Sequence, residues 1–326
     1  MDGGASPLLS VIIVAHCDSP NLRMVLEFLR KQTVSQRIEL IVVTASAERL
    51  NLPKEELEGF WGSRIVEIST KDAGSAKAAG VTAASAPLVA FTEDHSFAAP
   101  DCAETFISAH SLGNFAVVGP VMLNANPGPS VSWGCFLVFY SPWMAAREGV
   151  EHLPANQSCY KRDILLEYGA RLPDMLQAES LLHWDLTRRG HRLHHEPAAR
   201  IYHLNFSRLM PLLLEHLLAA RIFAAGRSKN WGAFRKLLYA LGAPLLPLIR
   251  FKRILRDAMR VRLETSLLLH AFLPLVLNLC AGSAGEMLGY ALGAGTAGER
   301  LFAFESERHL HIHEDDLRAI SSLGAS

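Results

Sequence analysis

At 326 residues the chain is long enough for two domains of about 150 residues each, or for one elaborated domain. Half of it is hydrophobic and a fifth is charged, which excludes a disordered, collagen-like or disulfide-stapled protein. Formal net charge is +0, so the chain as a whole is no generic polyanion binder. The five cysteines (Cys17, Cys102, Cys135, Cys159 and Cys280) are odd in number and contain no C-x-x-C pair. They read as thiols of a reducing compartment and argue against a zinc ribbon. A mean hydropathy of +0.17 is high for a fully soluble enzyme and points to apolar surface that meets lipid or a partner.

Met1 to Ser6 holds an acid and no base, and the first apolar run, Leu8 to Ala15, is short. An export signal is therefore not expected, and the catalytic part is placed in the cytoplasm. Leu9 to Ala15 is β-branched and apolar, as a strand buried on both faces should be. Leu22 to Arg30 has helical spacing, with Leu22, Val25, Leu26 and Leu29 on one face. Ile38 to Val43 follows as a second strand and Arg64 to Ile68 as a weaker third. Ser75 to Ala84 is an alanine-rich helix, Leu88 to Thr92 a buried strand, Cys102 to His110 a helix and Ala116 to Met122 a strand. This alternation implies an α/β fold with a mostly parallel sheet flanked by helices. Ligands of such sheets bind at the carboxyl ends of the strands, so chemistry is expected just after Ala15, Val43 and Thr92.

Asn124 to Ala155 reads as irregular and rich in Pro, Gly and Trp, and Tyr160 to His203 as helical with breaks at Gly169 and Gly190. Beyond Asn205 the composition changes. Arg208 to Arg262 holds twelve Lys/Arg against two acids, Glu215 and Asp257, interleaved with apolar runs. Ser266 to Ala281 is nearly uncharged and close to the roughly 20 residues that a span needs, although it contains His270, Pro274 and Asn278. Residues 1–205 are expected to form the catalytic domain and 206–326 a basic, apolar, helical region that associates with a membrane. A buried helical subdomain with a solvated basic face is the plainer alternative. Nucleic acid is not an expected partner, because the basic run lacks the aromatic interleaving of single-strand binders.

The sharpest local feature is Glu93-Asp94-His95, directly after a buried strand. It sets hard oxygen and borderline nitrogen ligands at the ligand-binding edge, a set suited to Mn²⁺ or Mg²⁺ holding a diphosphate. A solvated turn before the helix that begins near Asp101 is the bland alternative. His191, His194 and His195 alternate along a strand and so read as core and solvent positions. Ser10, Cys17 and Cys159 have no visible base beside them, which leaves nucleophilic catalysis unsupported. The stretch around Gly74 lacks G-x-G-x-x-G, so a dinucleotide site is not expected.

Five segments in order carry a resemblance. They are Ser10-Val-Ile-Ile-Val-Ala-His16, Ile38-Glu-Leu-Ile-Val-Val43, Gly74-Ser-Ala-Lys-Ala-Ala-Gly80, Pro87-Leu-Val-Ala-Phe-Thr-Glu-Asp-His95 and Asn156-Gln-Ser-Cys-Tyr-Lys-Arg-Asp163. Gln177 to Gly190 and Pro197 to His203 extend it. Together they resemble the family 2 glycosyltransferases, which have the GT-A fold, over about residues 8 to 205.

The resemblance implies an inverting transfer of sugar from a nucleotide-diphosphate donor to an acceptor hydroxyl, and the basic, apolar tail by itself suggests that the acceptor is a lipid-linked or cell-envelope glycan. It places Glu93 and His95 on the D-x-D metal positions and His203 on a further ligand of the divalent metal, Mn²⁺ or Mg²⁺. Glu179 falls on the general base. Ala15, His16, Thr44, Lys77 and Asp94 fall on the donor-contacting edge. One departure stands out. Where the family shows one or two aspartates after the second strand, this sequence has Thr44-Ala45-Ser46-Ala47. A non-catalytic, membrane-associated scaffold of the same fold, and a nucleotidyl- or phosphotransferase using the same metal site, are the competing functions.

Overall fold

The computed structural model describes residues 6–15, 17–69 and 72–323. Two compact units divide the chain, one made of 1–123 and 145–202, the other of 124–144 and 203–326.

In the first unit β1 (Leu9–Val14), β2 (Ile38–Thr44), β3 (Gly62–Glu67) and β4 (Leu88–Thr92) pair in parallel, with β1 between β2 and β4. Helices α1 (Pro20–Arg30), α2 (Ala47–Leu50) and α3 (Ala73–Ala83) connect them. β5 (Ser96–Ala98), α4 (Cys102–Leu112) and β6 (Val117–Asn124) follow β4. The described strands form one eight-stranded sheet in the order β3-β2-β1-β4-β7-β6-β8-β5, with β7 at Cys159–Lys161 and β8 at Leu193–His203. β7 runs antiparallel to both β4 and β6. The expected parallel sheet is therefore the β3-to-β4 half, and a mixed half completes it.

Local chemistry sets these elements. Ile12, Ile13, Ile41 and Val43 are buried because helices cover both faces of a parallel sheet. Ser19 caps α1 by accepting the Leu22 N–H at 3.2 Å, and Pro20 supplies a preset first turn. Asp72 does the same for α3 through the Ser75 N–H at 2.7 Å. α3 is built from small residues because it lies close to its neighbours. A Cβ on Gly80 would sit 2.5 Å from Ile12 Cγ2, and one on Gly74 would sit 2.2 Å from the Pro173 carbonyl.

A carboxylate inside the sheet, Glu39, is 1 % exposed. Burial works to raise its pKa, but hydrogen bonds from the Ser10 hydroxyl and Ser85 N–H and the Arg64 guanidinium hold it below the usual carboxylate value. It ties β1, β2, β3 and the start of β4 together and is a structural group, remote from the carboxyl edge.

The second unit is helical. α5 (Ser130–Tyr140) comes from the stretch expected to be irregular. Its apolar side packs on a long later helix, with Gly134 against Pro274 and Leu275, so tertiary burial overrides the local Pro and Gly signals. The expected helical reading of 160–203 holds for α6 (Arg162–Leu166), α7 (Leu172–Gln177) and α8 (Glu179–Arg188) and fails at its two ends, which are β7 and β8.

Then come α9 (Leu209–Arg227), α10 (Ala233–Gly242), α11 (Leu246–Arg260), α12 (Thr265–Leu292), α13 (Ala297–Glu305) and α14 (Glu314–Leu323). α12 is the hub, packed on α9, α5, α10 and α11. Residues 124–144, expected in the first domain, thus belong to the helical unit. α9 and α12 are long and apolar enough to cross a membrane by length and composition.

Candidate functional site at the carboxyl edge of the sheet

The parallel register brings Val14, Thr44, Glu67 and Thr92 to one edge of the sheet. Because β7 is antiparallel to β4, the residues just before β7 arrive beside the carboxyl end of β4. The Phe91 N–H donates to the Ser158 carbonyl at 3.2 Å and fixes that approach. Asn156 and Gln157, on the one-turn helix Ala155–Gln157, are therefore delivered to Glu93.

Glu93 is gripped on both oxygens. Asn156 Nδ2 donates to Oε1 at 2.8 Å and Gln157 Nε2 to Oε2 at 2.7 Å. Gln157 is fully buried, and its Nε2 also donates to Ser96 Oγ at 2.7 Å. Lys77 Nζ donates to Asn156 Oδ1 at 2.5 Å, so the α3 lysine holds one of the two amides that hold Glu93. Hydrogen bonds to a carboxylate contribute about 1.5–3 kcal/mol each, enough to fix its rotamer.

His95 is 3 % exposed. Its Nδ1 lies 2.8 Å from Asp94 Oδ1, which places the ring proton on Nδ1, and its Nε2 lies 3.6 Å from Glu93 Oε2. A carboxylate hydrogen-bonded to the distal nitrogen of a ligand histidine orients the ring and fixes its tautomer. Asp94, expected as a donor contact, is engaged in that way with its neighbour.

His203 closes β8, and its Nδ1 lies 2.9 Å from Asn205 Oδ1. Glu93 and His95 bring a carboxylate oxygen and an imidazole nitrogen together just after β4, a pair that could serve a metal ion. A carboxylate oxygen beside an imidazole nitrogen fits a borderline divalent cation such as Mn²⁺ better than the oxygen-seeking Mg²⁺.

The other expected positions are placed as follows. Ala15 is buried at the edge, its N–H donating to the Val43 carbonyl at 2.9 Å. His16 and the side chain of Glu179 lie outside the described residues, although the backbone of Glu179 opens α8. The Thr44 hydroxyl closes the turn after β2, 3.3 Å from the Ser46 carbonyl oxygen and from the Ser46 nitrogen. Where the carboxylate is missing, one comes from the next strand. Glu67, the last residue of β3, accepts the Ala47 N–H at 2.8 Å.

Asn156, Gln157 and Glu67 were not singled out as site residues by sequence. Asn156 and Gln157 stand in the polar run before Tyr160-Lys161-Arg162, and that run was the available signal. His194 and His195 form no metal cluster among the described residues. His194 stacks on Phe115, while His195 is buried with Nε2 3.0 Å from the Pro120 carbonyl oxygen.

This curled, mostly parallel sheet with helices on its faces and polar groups at its carboxyl edge has the GT-A-type fold. No family model matches the sequence, and no curated protein matches it. Solved structures do.

A mannosyltransferase from Pyrobaculum calidifontis, PcManGT, in complex with GDP-Man and Mn²⁺, is 16% identical at a TM-score of 0.51, over 98% of this chain and 88% of that one. S. aureus TarS residues 1–349 in complex with UDP is 14% identical at a TM-score of 0.50, over 89% and 90% of the two chains. GalNAc-T7 with UDP, GalNAc and Mn²⁺ is 14% identical at a TM-score of 0.47, over 60% of this chain. The chain spans 43% of the length of that last protein. The likeness to PcManGT and TarS shows the fold.

Proposed function

We propose that the chain is a metal-dependent glycosyltransferase that moves a sugar, with inversion, from a nucleotide-diphosphate donor to an acceptor hydroxyl. The observation that carries this reading is the clamp on Glu93. Two amides, one of them held in turn by Lys77, hold one carboxylate at the end of β4, beside a histidine oriented by its own carboxylate. PcManGT and TarS, which share the fold, are seen with a nucleotide sugar or a nucleotide, and PcManGT with Mn²⁺ as well.

Glu93 and His95 would hold the cation, and the family resemblance adds His203. The bound cation would offset charge that develops on the departing diphosphate. Glu179, at the start of α8, would take the acceptor's proton as the hydroxyl attacks the anomeric carbon in line with the leaving diphosphate, and inversion follows from that single displacement. Lys77 and the backbone at Ala15, His16 and Thr44 would face the donor. Glu67, already at the β2–α2 turn, would meet its ribose or base in place of the absent aspartates. A membrane-proximal catalytic unit on the cytoplasmic side suits a lipid-linked or envelope-glycan acceptor.

Calorimetric titration of UDP-, GDP- and dTDP-sugars, with and without Mn²⁺, tests the reading. Binding of one donor that requires Mn²⁺ is expected. Folded protein that binds none of them in either condition would overturn it in favour of a non-catalytic scaffold.

A further inference from the structure

We propose that the helical unit docks in the plane of an anionic membrane surface through α10, the α10–α11 corner and α11, and that none of its helices crosses the bilayer. The inference deepens the membrane part of the proposed function and is independent of the transfer chemistry.

The docking face is visible as a stripe. Phe234, Leu237, Leu238 and Leu241 follow helical spacing along α10 and are 80%, 56%, 58% and 71% exposed. The stripe continues across the corner through Leu245 and Leu248, 60% and 71% exposed. Residues of these types are ordinarily the most buried in a chain, and a contiguous row of them marks an interaction surface.

The flank of the stripe is cationic. On the second half of α11 Lys252, Arg253 and Arg256 are exposed, whereas Asp257, the acid of that helix, is buried. The run-in to α10 carries Trp231, with the Arg235 guanidinium 4.0 Å and the Arg227 guanidinium 5.4 Å from its ring centre, and Tyr239 within 6 Å of the same two. Indole, phenol and guanidinium groups together are the side chains that settle at the headgroup level. An apolar row with arginines beside it is complementary to anionic lipid.

The same unit argues against a span. α13 lies along the middle of α9, with Ala297 and Leu301 against Leu218 and Ile222. On α13 Glu299 and Arg300 are exposed, so hydrocarbon around the middle of α9 would take in two charges. Asn278, Ser283 and Glu286 of α12 are spent within the bundle. Asn278 meets His216 of α9 at 2.9 Å, Ser283 donates to the Ala243 carbonyl at 2.8 Å, and Glu286 pairs with Arg250 of α11. That last pair ties α11 to α12 and presents α11 as a fixed surface.

The test is sedimentation of the purified full chain with vesicles of phosphatidylcholine alone or with roughly a third phosphatidylglycerol. Binding to the anionic vesicles, loss at about 1 M salt and release by alkaline carbonate are expected. Arg253→Gln with Arg256→Gln should weaken partitioning about 25-fold, about fivefold for each charge. Leu241→Glu with Leu245→Glu should weaken it at least ~10-fold. Both doubles change exposed residues, and unaltered circular dichroism establishes that each is folded.

Retention after carbonate treatment would overturn the proposal in favour of a span. So would equal binding to both vesicle types, indifference to both doubles, or binding to heparin and RNA in preference to vesicles. Donor binding measured on the same preparations separates the two readings. Vesicle binding without donor binding defeats the transferase, and donor binding without vesicle binding defeats the docking.

Discussion

Replacing Gln157 by Leu tests whether the clamp on Glu93 serves the metal. The two side chains have similar volume and position 157 is fully buried, so packing should survive while both Nε2 bonds go. The bond to the Glu93 carboxylate is charge-assisted and contributes about 1.5–3 kcal/mol. Ser96, 1 % exposed, loses its partner and adds about 1 kcal/mol. The expected loss of about 2.5–4 kcal/mol is a large share of a typical domain's stability, measurable by urea unfolding. Glu93 keeps the Asn156 bond on one oxygen and gains freedom on the other, so Mn²⁺ affinity should fall about 10–100-fold in calorimetry. Ser96→Ala is the control, because it removes the hydroxyl and leaves both amides on Glu93. It should lower stability and leave Mn²⁺ affinity unchanged. Wild-type Mn²⁺ affinity in Gln157→Leu would show the clamp to be purely structural.

Glu179→Gln should reduce transfer about 10²–10⁴-fold while donor affinity stays within twofold, and retained turnover would remove Glu179 from the base's role. Burial holds the imidazoles of His110, His183 and His216 neutral, with pKa values of about 4, 3 and 4. Unfolded histidines titrate near 6.5, so this stabilisation is complete above that pH and is lost as the pH falls towards 4 and 3. Urea midpoints should decline across that window, and His183→Gln, which removes one such group, should make the decline shallower; an unchanged slope would contradict the assignment. A Cβ at Gly285 would lie 2.2 Å from the Leu217 backbone carbonyl, so Gly285→Ala must push α9 from α12. A cost of about 1–3 kcal/mol in thermal unfolding is expected, and an unshifted Tm would refute the close packing.

The fold was legible where period and burial agree. The β-branched runs at Leu9 and Ile38, the capped helix after Ser19 and the strand ending at Thr92 all appear within a residue or two of their expected bounds. α5 was not legible, because Ser130 to Tyr140 looks like a loop until α12, more than a hundred residues later, buries it. The site divides in the same way. Glu93 and His95 stand out as a local triplet at a strand end, whereas Gln157 is recruited by the antiparallel pairing of β7 with β4, a long-range fact that no local pattern announces.

The missing aspartates after β2 follow the same logic, and they can be tested. The turn at Thr44 to Ala47 satisfies its own backbone with the Thr44 hydroxyl, so no acid is required there for folding. The register pairs Thr44 with Glu67, which brings a longer acid one strand over, onto the Ala47 N–H. If that carboxylate meets the donor, Glu67→Gln should keep the bond to Ala47 through its amide oxygen and leave Mn²⁺ affinity alone. It should lower donor affinity about 10-fold or more, the loss of one charge-assisted hydrogen bond. Glu67→Ala should do the same and also loosen the turn. Equal donor affinity in wild type and Glu67→Gln would mean that the donor is held at this edge by backbone and hydroxyl groups alone, as the Thr44-to-Ala47 sequence by itself would have it.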